Sequence, residues 1–346
     1  MKPTIDDVAK LAGVARATVS RVLNNQPNVR DKVRAEVMRA VLTLGYRVNL
    51  QARNLAGRQT MRIGLIHASH FEREAYSFFG WTLELGATIA AASRGAQLVS
   101  HIIDENDPGY AARIIDSLRD DQCDGALLAP PFADDVELLH ALMAFGIKIV
   151  CIAAGRHVEG LVNVIGIDDR QAGRDVGEHL LARGHCNFGF IKGLQDHKSA
   201  EERYVGFLDA LHEAGLGAEA VTTERGAFNY RSGHDCAEHI LAINRGITAL
   251  VCANDDMAAG ALLAIHKLGL RIPEDIAVTG FDDTPVSGVV WPPLTTIHQP
   301  LRSIGKRAVE MLVERASEAP AFSASREFVP HRLIVRESSM ADARSI

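Results

Sequence analysis

Polar residues that could bind a small molecule follow several apolar, strand-like runs in the sequence. Asp168, Asn254 and Asp282 each come directly after such a run. In a parallel α/β sheet the ligand crevice lies at the carboxyl ends of the strands, where carboxylate and amide groups can hydrogen-bond a ligand. Asp and Asn at these junctions also cap the helix that follows. From spacing alone, ligand binding and helix capping both remain open for these residues.

Residue patterns typical of enzymes are missing. The sequence contains no Walker loop, no Gly-x-Gly-x-x-Gly, no Gly-x-Ser-x-Gly and no His-Glu-x-x-His. Its fourteen histidines are scattered, and its five cysteines make no metal-binding or disulfide pattern. We therefore expect a protein that is not an enzyme and that has no catalytic residues, no metal and no cofactor.

Charge is distributed unevenly along the 346 residues. Residues 1–60 carry eleven basic and four acidic side chains, a net charge of +7, whereas the whole chain has a formal net charge of −6. A basic segment is typical of polyanion binding, which is driven by the release of counterions. A chance cluster of surface charge is the alternative interpretation.

Three features predict a cytoplasmic protein without a membrane anchor. No apolar run approaches the roughly 18 residues of a membrane span. The sequence begins MKPTIDDVAK, which does not resemble a secretion signal. An odd number of scattered cysteines fits a reducing compartment.

The basic segment predicts three short helices. Thr4 can cap the first helix, and Gly13 breaks its apolar pattern. A second helix is expected over about 16–24 and a third over about 31–44. Two short helices joined by a glycine-containing turn, the second with a polar outer face, predict a helix-turn-helix. In that motif the second helix lies in the major groove of DNA.

The lactose-repressor (LacI/GalR) family has a DNA-binding head that resembles residues 4–24 of this sequence, TIDDVAKLAGVARATVSRVLN. The resemblance extends over nearly the whole chain, through the runs Ile63-Gly64-Leu65-Ile66, Asp124-Gly125, Arg183-Gly184-His185, Asn254-Asp255 and Leu294-Thr295-Thr296-Ile297. It implies a DNA-binding transcriptional regulator, expected to be a repressor, whose operator binding is controlled by a small-molecule effector. Its partners would be pseudo-palindromic operator DNA, the effector and a second copy of the chain.

Strand-like segments, such as 62–68, 97–103 and 188–192, alternate with helical segments, such as 110–120, and predict that the body is α/β, with parallel sheets. By resemblance it has the periplasmic-binding-protein architecture, in which two doubly wound lobes are joined by three crossover strands. We expect these crossings near 156–161, 286–294 and 322–328. The implied domains are a helix-turn-helix head over 1–48, a hinge helix and linker over 49–60, an N-terminal lobe over about 61–158 and 292–324, and a C-terminal lobe over about 161–288 and 327–340.

The resemblance also implies which residues contact DNA. Arg16, Ala17 and Arg21 would read bases, since Arg suits guanine and Ala can touch a thymine methyl. Leu55 would be a wedge in the minor groove, on a hinge helix over 49–56 that folds only when two copies pair on DNA. A plain flexible linker is the alternative for this segment. The remaining implied contacts are Thr4, Thr18, Ser20, Asn24, Asn49 and Ala52.

The effector site is implied in the same way. Arg203 would place its guanidinium fork on effector oxygens, and Asn254 and Asp282 would complete the ring of donors and acceptors. Phe228 would stack on the effector. The other candidates are Asp168 as a further acceptor, Phe79 as a residue of the opposite lobe or of the core, and His197 as a site residue or an exposed loop residue.

The class of ligand and the role on DNA each leave an alternative open. Purine-responsive relatives tend to lack an asparagine at position 254, so Asn254 favours a carbohydrate over a purine. The body alone would also fit a sugar-binding protein with no role on DNA.

Three residues depart from the family pattern. Ala15 and Arg30 stand where the family usually has helix-capping serines, and Val48 stands where it has proline. Losing a serine cap costs about 0.5–2 kcal/mol, so we expect a head that is only marginally stable without DNA. Residues 338–346 lack leucine heptads, which predicts a dimer rather than a tetramer.

Overall fold

The computed structural model describes residues 4–23, 29–44, 60–68, 78–195, 197–314 and 324–341. The chain divides into a head unit, Met1–Thr60, and a body unit, Met61–Ile346. Among the helices in these described ranges, none has the length and apolar character required to cross a lipid bilayer.

The head unit contains the three predicted helices: α1 (Ile5–Ala12), α2 (Arg16–Leu23) and α3 (Asp31–Leu44). Thr4 caps α1 in a capping box, in which its side chain accepts from the N–H of Asp7 and the Asp7 carboxylate accepts from the N–H of Thr4. Gly13 ends the helix with a left-handed φ of 64°. Apolar side chains from all three helices form a small core of Val8, Ala9, Val19, Val22, Val37 and Ala40.

Ala15 stands at the start of α2, where its carbonyl accepts from the N–H groups of Thr18 and Val19. Its methyl side chain has no oxygen to accept from the amides of the first turn. We predict that Ala15→Ser stabilises the head by about 0.5–2 kcal/mol, because a serine hydroxyl supplies that acceptor. Amide exchange of the DNA-free protein measures the effect, with Ala17→Ser inside the helix as the matched control. Equal protection of the head in wild type and Ala15→Ser would contradict the prediction.

The first part of the body is a six-stranded parallel sheet in the order β11-β5-β4-β3-β1-β2. We refer to this sheet and its helices as the N-terminal lobe. Its strands are β1 (Arg62–Ala68), β2 (Gln97–Ile103), β3 (Gly125–Leu128), β4 (Lys148–Ile152), β5 (Asn163–Gly166) and β11 (Arg326–Phe328). Its helices are α4 (Phe78–Ser93), α5 (Tyr110–Asp120), α6 (Val136–Ala144) and α12 (Leu301–Glu314).

The C-terminal lobe is built on a four-stranded parallel sheet in the order β7-β6-β8-β9. Its strands are β6 (Phe188–Lys192), β7 (Val221–Arg225), β8 (Ala249–Cys252) and β9 (Ala277–Thr279). Its helices are α7 (Asp169–Leu181), α8 (Lys198–Glu213), α9 (Tyr230–Ile243), α10 (Asp255–Lys267) and α11 (Pro285–Val289). A two-stranded antiparallel ribbon joins β10 (Thr296–His298) to β12 (Arg332–Ile334).

The crossings between the lobes lie later in the chain than the sequence predicted. β5 pairs with β4 and β11, so residues 163–166 belong to the N-terminal lobe and the chain first crosses after Gly166. β10 still bridges to the segment after β9, whereas Gly305 of α12 packs against the backbone of α4. The second crossing therefore lies between β10 and α12, and the third between β11 and β12. Short apolar strands carry no mark of which sheet they join, which is why the expected lobe boundaries were wrong here.

Candidate ligand-binding site

A cavity of about 830 Å³ lies between the two lobes of the body. The N-terminal lobe contributes the end of β1, the start of α4 and the turn after β3. The C-terminal lobe contributes the starts of α8, α9 and α10 and the segment after β9. The described lining residues are His67, Ala68, Phe78, Phe79, Gly80, Glu105, Ala129, Pro130, Leu194, His197, Ser199, Arg203, Ala227, Phe228, Asn229, Tyr230, Arg231, Ser232, Asp235, Asn254, Asp256, Asp282 and Thr284.

Arg203 is the buried cation of the cavity wall. Its Nε donates to Asp169 Oδ1 at 2.8 Å, and its Nη1 donates to the carbonyl of Ala253 at 3.0 Å. The guanidinium lies 3.6 Å from the centroid of the Phe281 ring, a cation–π contact. Held on three sides, the fork is oriented before any ligand binds, and none of the described residues accepts from Nη2. A pre-oriented donor of this kind costs little ordering entropy when a ligand oxygen arrives.

Asn254 both caps α10 and lines the cavity. Its side-chain oxygen accepts from the N–H of Met257 at 3.0 Å, and its amide nitrogen donates to the carbonyl of Phe228 at 3.0 Å. The two interpretations of the sequence, capping and cavity lining, therefore hold together for this residue. Its contact with Phe228 fixes the loop that carries the aromatic ring.

Asp282 presents a carboxylate to the same cavity from a left-handed φ of 102°. Its Oδ1 accepts from Gln299 Nε2 at 2.6 Å. Burial raises the pKa of Asp282 to about 6, although the positive charge of Arg203 and the Gln299 hydrogen bond oppose the shift. The carboxylate is thus mainly ionised at neutral pH and can accept hydrogen bonds from ligand hydroxyl groups.

Aromatic rings form another part of the wall. His197 and Phe228 are in contact with ring centroids 4.8 Å apart. Burial and the nearby Arg203 lower the pKa of His197 to about 4, so the imidazole is neutral at physiological pH. Phe228 adopts a left-handed φ of 57°, and its ring occupies the space that a side chain at position 193 would need, which is why Gly193 is glycine. Phe79 lines the cavity and also packs against the core.

The expectation that Asp168 binds the ligand stays a prediction. Its Oδ1 accepts from the N–H of Gln171 at 3.0 Å and caps α7, and among the described lining residues Asp168 does not occur. A carboxylate before a helix is held by the unpaired amides of the first turn, and that local contact decides its direction. Its neighbour Asp169 points inward and pairs with Arg203 instead.

The predicted DNA-contacting residues that are described lie on the first two helices of the head. Arg16, Ala17 and Arg21 are exposed on α2, and Thr18 is half-buried there. Ser20 lies on the same helix. The hydroxyl of Thr4 is committed to the capping box of α1. Asn24, Asn49, Ala52 and Leu55 lie outside the described residues.

Sequence reasoning missed several lining residues. Asp256 follows Asn254 by two positions and could have been found from the strand-end rule. Tyr230, at the start of α9, and His67, at the end of β1, are brought to the cavity only by the packing of the lobes. Ser199 precedes Arg203 by one helical turn and shares its face of α8, so helical periodicity was a usable signal.

One group of side chains at the edge of the cavity, which Asp235 lines, has metal-binding residue types. His234, Asp235 and Glu238 of α9 place ligand atoms within 4.8 Å of one another. Lys267 Nζ lies 3.0 Å from His234 Nε2, so an ammonium group already occupies the side from which a cation would approach. The geometry favours a surface charge cluster.

Two family models match the sequence. Residues 4–49 match the model of bacterial regulatory proteins of the lacI family, and residues 177–339 match a periplasmic binding protein-like domain. Both matches coincide with parts of the units described above.

Individual proteins are similar over nearly the full length. The HTH-type transcriptional repressor PurR of Pectobacterium carotovorum is 35% identical over 320 residues, which cover 90% of each chain. A solved complex of the transcriptional regulator CelR with cellobiose superposes with a TM-score of 0.74 at 31% identity, covering 97% of this chain and 99% of that one. A lac repressor dimer bound to operator and the anti-inducer ONPF also gives a TM-score of 0.74, at 28% identity and 99% and 100% coverage.

Proposed function

This chain belongs to the lacI family of bacterial regulatory proteins. From that membership we propose that it is a transcriptional repressor whose affinity for operator DNA is controlled by a carbohydrate bound between the lobes of its body. The observation that carries the proposal is one chain that joins a lacI-type helix-turn-helix to a cavity lined by Arg203, Asn254 and Asp282. The protein acts on DNA in the bacterial cytoplasm and catalyses no reaction.

The head reads DNA through α2. Arg16 and Arg21 are exposed long cations on that helix, suited to guanine edges in the major groove, and Ala17 can meet a thymine methyl. Thr18, Ser20 and Asn24 contact phosphates, and Thr4 supports them at the start of α1. Residues 49–60 form the hinge and linker, with Leu55 as the wedge in the minor groove and Asn49 and Ala52 as further DNA contacts.

A neutral carbohydrate suits the cavity better than an apolar ligand. Arg203 offers a fixed donor, Asp282 a fixed acceptor, and Asn254 a polar edge, while Phe228 and Phe79 provide flat apolar surfaces for a sugar ring. CelR, one of the similar proteins, was solved with cellobiose. A purine is the second candidate, because similar repressors are named PurR and the aromatic rings of Phe228 and His197 could stack on a base.

The regulator acts as a dimer on a pseudo-palindromic site. Four large apolar side chains are exposed along α4 at helical spacing: Phe78, Trp81, Leu85 and Ile89. Trp81 is 61% exposed and Ile89 59% exposed, and a stripe of this kind usually marks an interface. Sedimentation of the intact protein tests this, with a dimer as the expected species.

A combined selection and thermal-shift experiment tests the proposed function. Duplex DNA is selected from a random pool with the purified protein, and its affinity is measured between about 50 and 200 mM salt, where phosphate contacts lose strength steeply. Thermal shift against sugars, cellobiose included, and against nucleobases identifies the ligand class; binding at a hundredfold excess over Kd adds about 2.7 kcal/mol. Failure to select any duplex would overturn the DNA-binding role, and a hit confined to nucleobases would replace carbohydrate with purine.

We predict that affinity for the sugar identified in this way rises as pH increases from 5 to 7. Asp282, with its pKa of about 6, is a strong charged acceptor of ligand hydroxyl groups when ionised and a weaker neutral one when protonated. The ionised fraction falls from about nine tenths at pH 7 to about one tenth at pH 5, so the affinity at pH 5 should be up to about tenfold weaker than at pH 7. His197, with a pKa of about 4, stays neutral throughout this range. Calorimetric titration of wild type and Asp282→Asn measures the effect; a variant that kept the pH dependence would contradict the assignment.

A further inference from the structure

The start of α8 meets the opposite lobe at a buried carboxylate. Asp134 belongs to the turn Phe132–Asp134 of the N-terminal lobe, and its side chain is 5% exposed. Its Oδ1 accepts from the N–H of Gly155 at 2.8 Å, within the same lobe. Its Oδ2 is buried and has no hydrogen-bond partner among the described residues.

Across the lobe boundary, the carboxylate faces the first residue of α8. Burial raises the pKa of Asp134; the N–H of Gly155 and the charge of His157 oppose the shift most, and the N–H and ammonium of Lys198 oppose it less. His197, which precedes α8, does not cap the helix with its side chain. The helix therefore lacks a side-chain cap of its own at the end where a negative charge is most favourable.

Two further contacts join the same surfaces. A Cβ at Gly155 would lie only 2.6 Å from Cβ of Lys198, so the two lobes touch at this point. Arg156 Nε lies 3.8 Å from Glu202 Oε2, one turn further along α8. Other titratable groups near Asp134 among the described residues are His157, whose Nε2 lies 3.7 Å from Oδ1, and Cys151, whose thiol pKa is raised by burial and by the Asp134 carboxylate.

We propose that Asp134 is a lobe-to-lobe latch, whose buried charge stabilises the N-terminal end of α8 from the N-terminal lobe and thereby sets the balance between lobe arrangements. The same helix carries Ser199 and Arg203 into the cavity. A ligand that moves α8 against the N-terminal lobe must strain or release this contact. A contact present in one arrangement and lost in another contributes its free energy to the equilibrium between them.

The latch rests on the proposed function, because its readout is DNA binding by a remote unit. Asp134 lies in the body unit, outside the segment that matches the lacI head. A residue with a merely structural role in the body would lower thermal stability and leave DNA affinity unchanged. A residue that sets the lobe equilibrium changes DNA affinity although it cannot touch DNA through the head.

Two variants of the intact protein break the contact in different ways. Asp134→Asn removes the charge at nearly constant shape. Gly155→Ala leaves the carboxylate in place and disturbs the contact between the lobes: the φ of −67° at Gly155 suits alanine, but the new Cβ would lie 2.6 Å from Cβ of Lys198 and 3.0 Å from Nδ1 of His157, so both neighbours must shift. Asp116→Asn, an exposed carboxylate on α5 that is 67% accessible, is the matched control.

The readouts are hydrogen exchange at the amides of residues 198–201 and affinity for the duplex selected with wild type. We expect faster exchange at these amides in Asp134→Asn, and a change in DNA affinity of about fivefold or more, in the same direction, for both variants. The control should match wild type in both measurements.

Each other outcome overturns the latch. Unchanged exchange in Asp134→Asn shows that the charge of Asp134 does not stabilise this end of α8, whether or not the protein binds DNA. Faster exchange with wild-type DNA affinity, or DNA affinities that move in opposite directions in the two variants, removes its regulatory role. If Asp134→Asn does not fold, Gly155→Ala decides through DNA affinity alone. Absence of DNA binding by wild type is a separate result, which counts against the proposed function.

Discussion

Replacing Arg203 with alanine lowers the free energy of unfolding of the body by about 3–5 kcal/mol and eliminates ligand binding. Both Arg203 and Asp169 have side chains that are 9% exposed, and they are joined by a 2.8 Å hydrogen bond. Removing the guanidinium leaves the Asp169 carboxylate in a buried site without its counterion, and burial already raises the pKa of this group. The carbonyl of Ala253 loses its donor at the same time.

A second variant separates stability from binding. In the double variant Arg203→Met/Asp169→Leu, both charges are replaced by apolar side chains, and such replacements of buried ion pairs are often neutral or stabilising. We therefore expect urea denaturation to show recovery of most of the lost stability, while calorimetry still detects no binding of the sugar that wild type binds. A free energy of unfolding of Arg203→Ala within about 1 kcal/mol of wild type would show that the ion pair is solvated. Sugar binding by the double variant would show that Arg203 is not a ligand contact.

Much of the fold could be predicted from local patterns. The predicted ranges 62–68, 97–103 and 188–192 coincide with β1, β2 and β6, and 110–120 and 31–44 coincide with α5 and α3. These segments have long apolar runs or a clear helical periodicity, and turn-forming residues mark both of their ends. Local signals of this kind need no knowledge of the partner element.

Two elements, β7 and α12, were not predicted from the sequence, and the reasons differ. β7 has the sequence VTTER, an edge strand with one buried residue, so no apolar run marks it. α12 shows a helical pattern in Leu301, Ile304, Ala308 and Leu312, all buried, and the sequence alone was sufficient to predict it. Which sheet β5 joins could not be predicted for a third reason. It depends on long-range pairing between strands, which no local pattern records.

The cavity residues divide in the same way, into those that local rules predict and those that only the packing of the lobes places there. The strand-end rule places Asn254 and Asp282 at the ligand crevice, because parallel strands bring their carboxyl ends to one edge. It predicts a ligand contact for Asp168 as well, whose carboxylate caps α7 and which is not among the described lining residues. Tyr230 and His67 reach the cavity only because two lobes face each other, and sequence spacing holds no information about that approach.

Replacing Arg16 with alanine relaxes the base preference of each half-site and weakens binding to the selected duplex by about 1–3 kcal/mol per half-site. Arg16 is exposed at the start of α2, with its side chain 68% accessible and its Nε 3.8 Å from Asp6 Oδ1. A pair this long and this exposed holds the guanidinium weakly, so the side chain can turn to a guanine edge at little cost. A symmetric dimer loses the contact twice, which makes this one of the two largest effects expected of a single substitution in the protein.

Lys32→Ala is the control, because Lys32 is an exposed cation at the start of α3, outside the helix that reads DNA. Loss of a charge that touches only phosphate weakens binding to all sequences alike, whereas loss of a base contact weakens the preferred sequence most. Repeating the selection with each variant distinguishes the two cases. Arg16→Ala should yield a degenerate position in both half-sites, and Lys32→Ala should return the wild-type sequence. An unchanged consensus from Arg16→Ala, with uniformly weaker binding, would assign Arg16 to the phosphate backbone and leave Arg21 as the arginine on α2 able to read guanine.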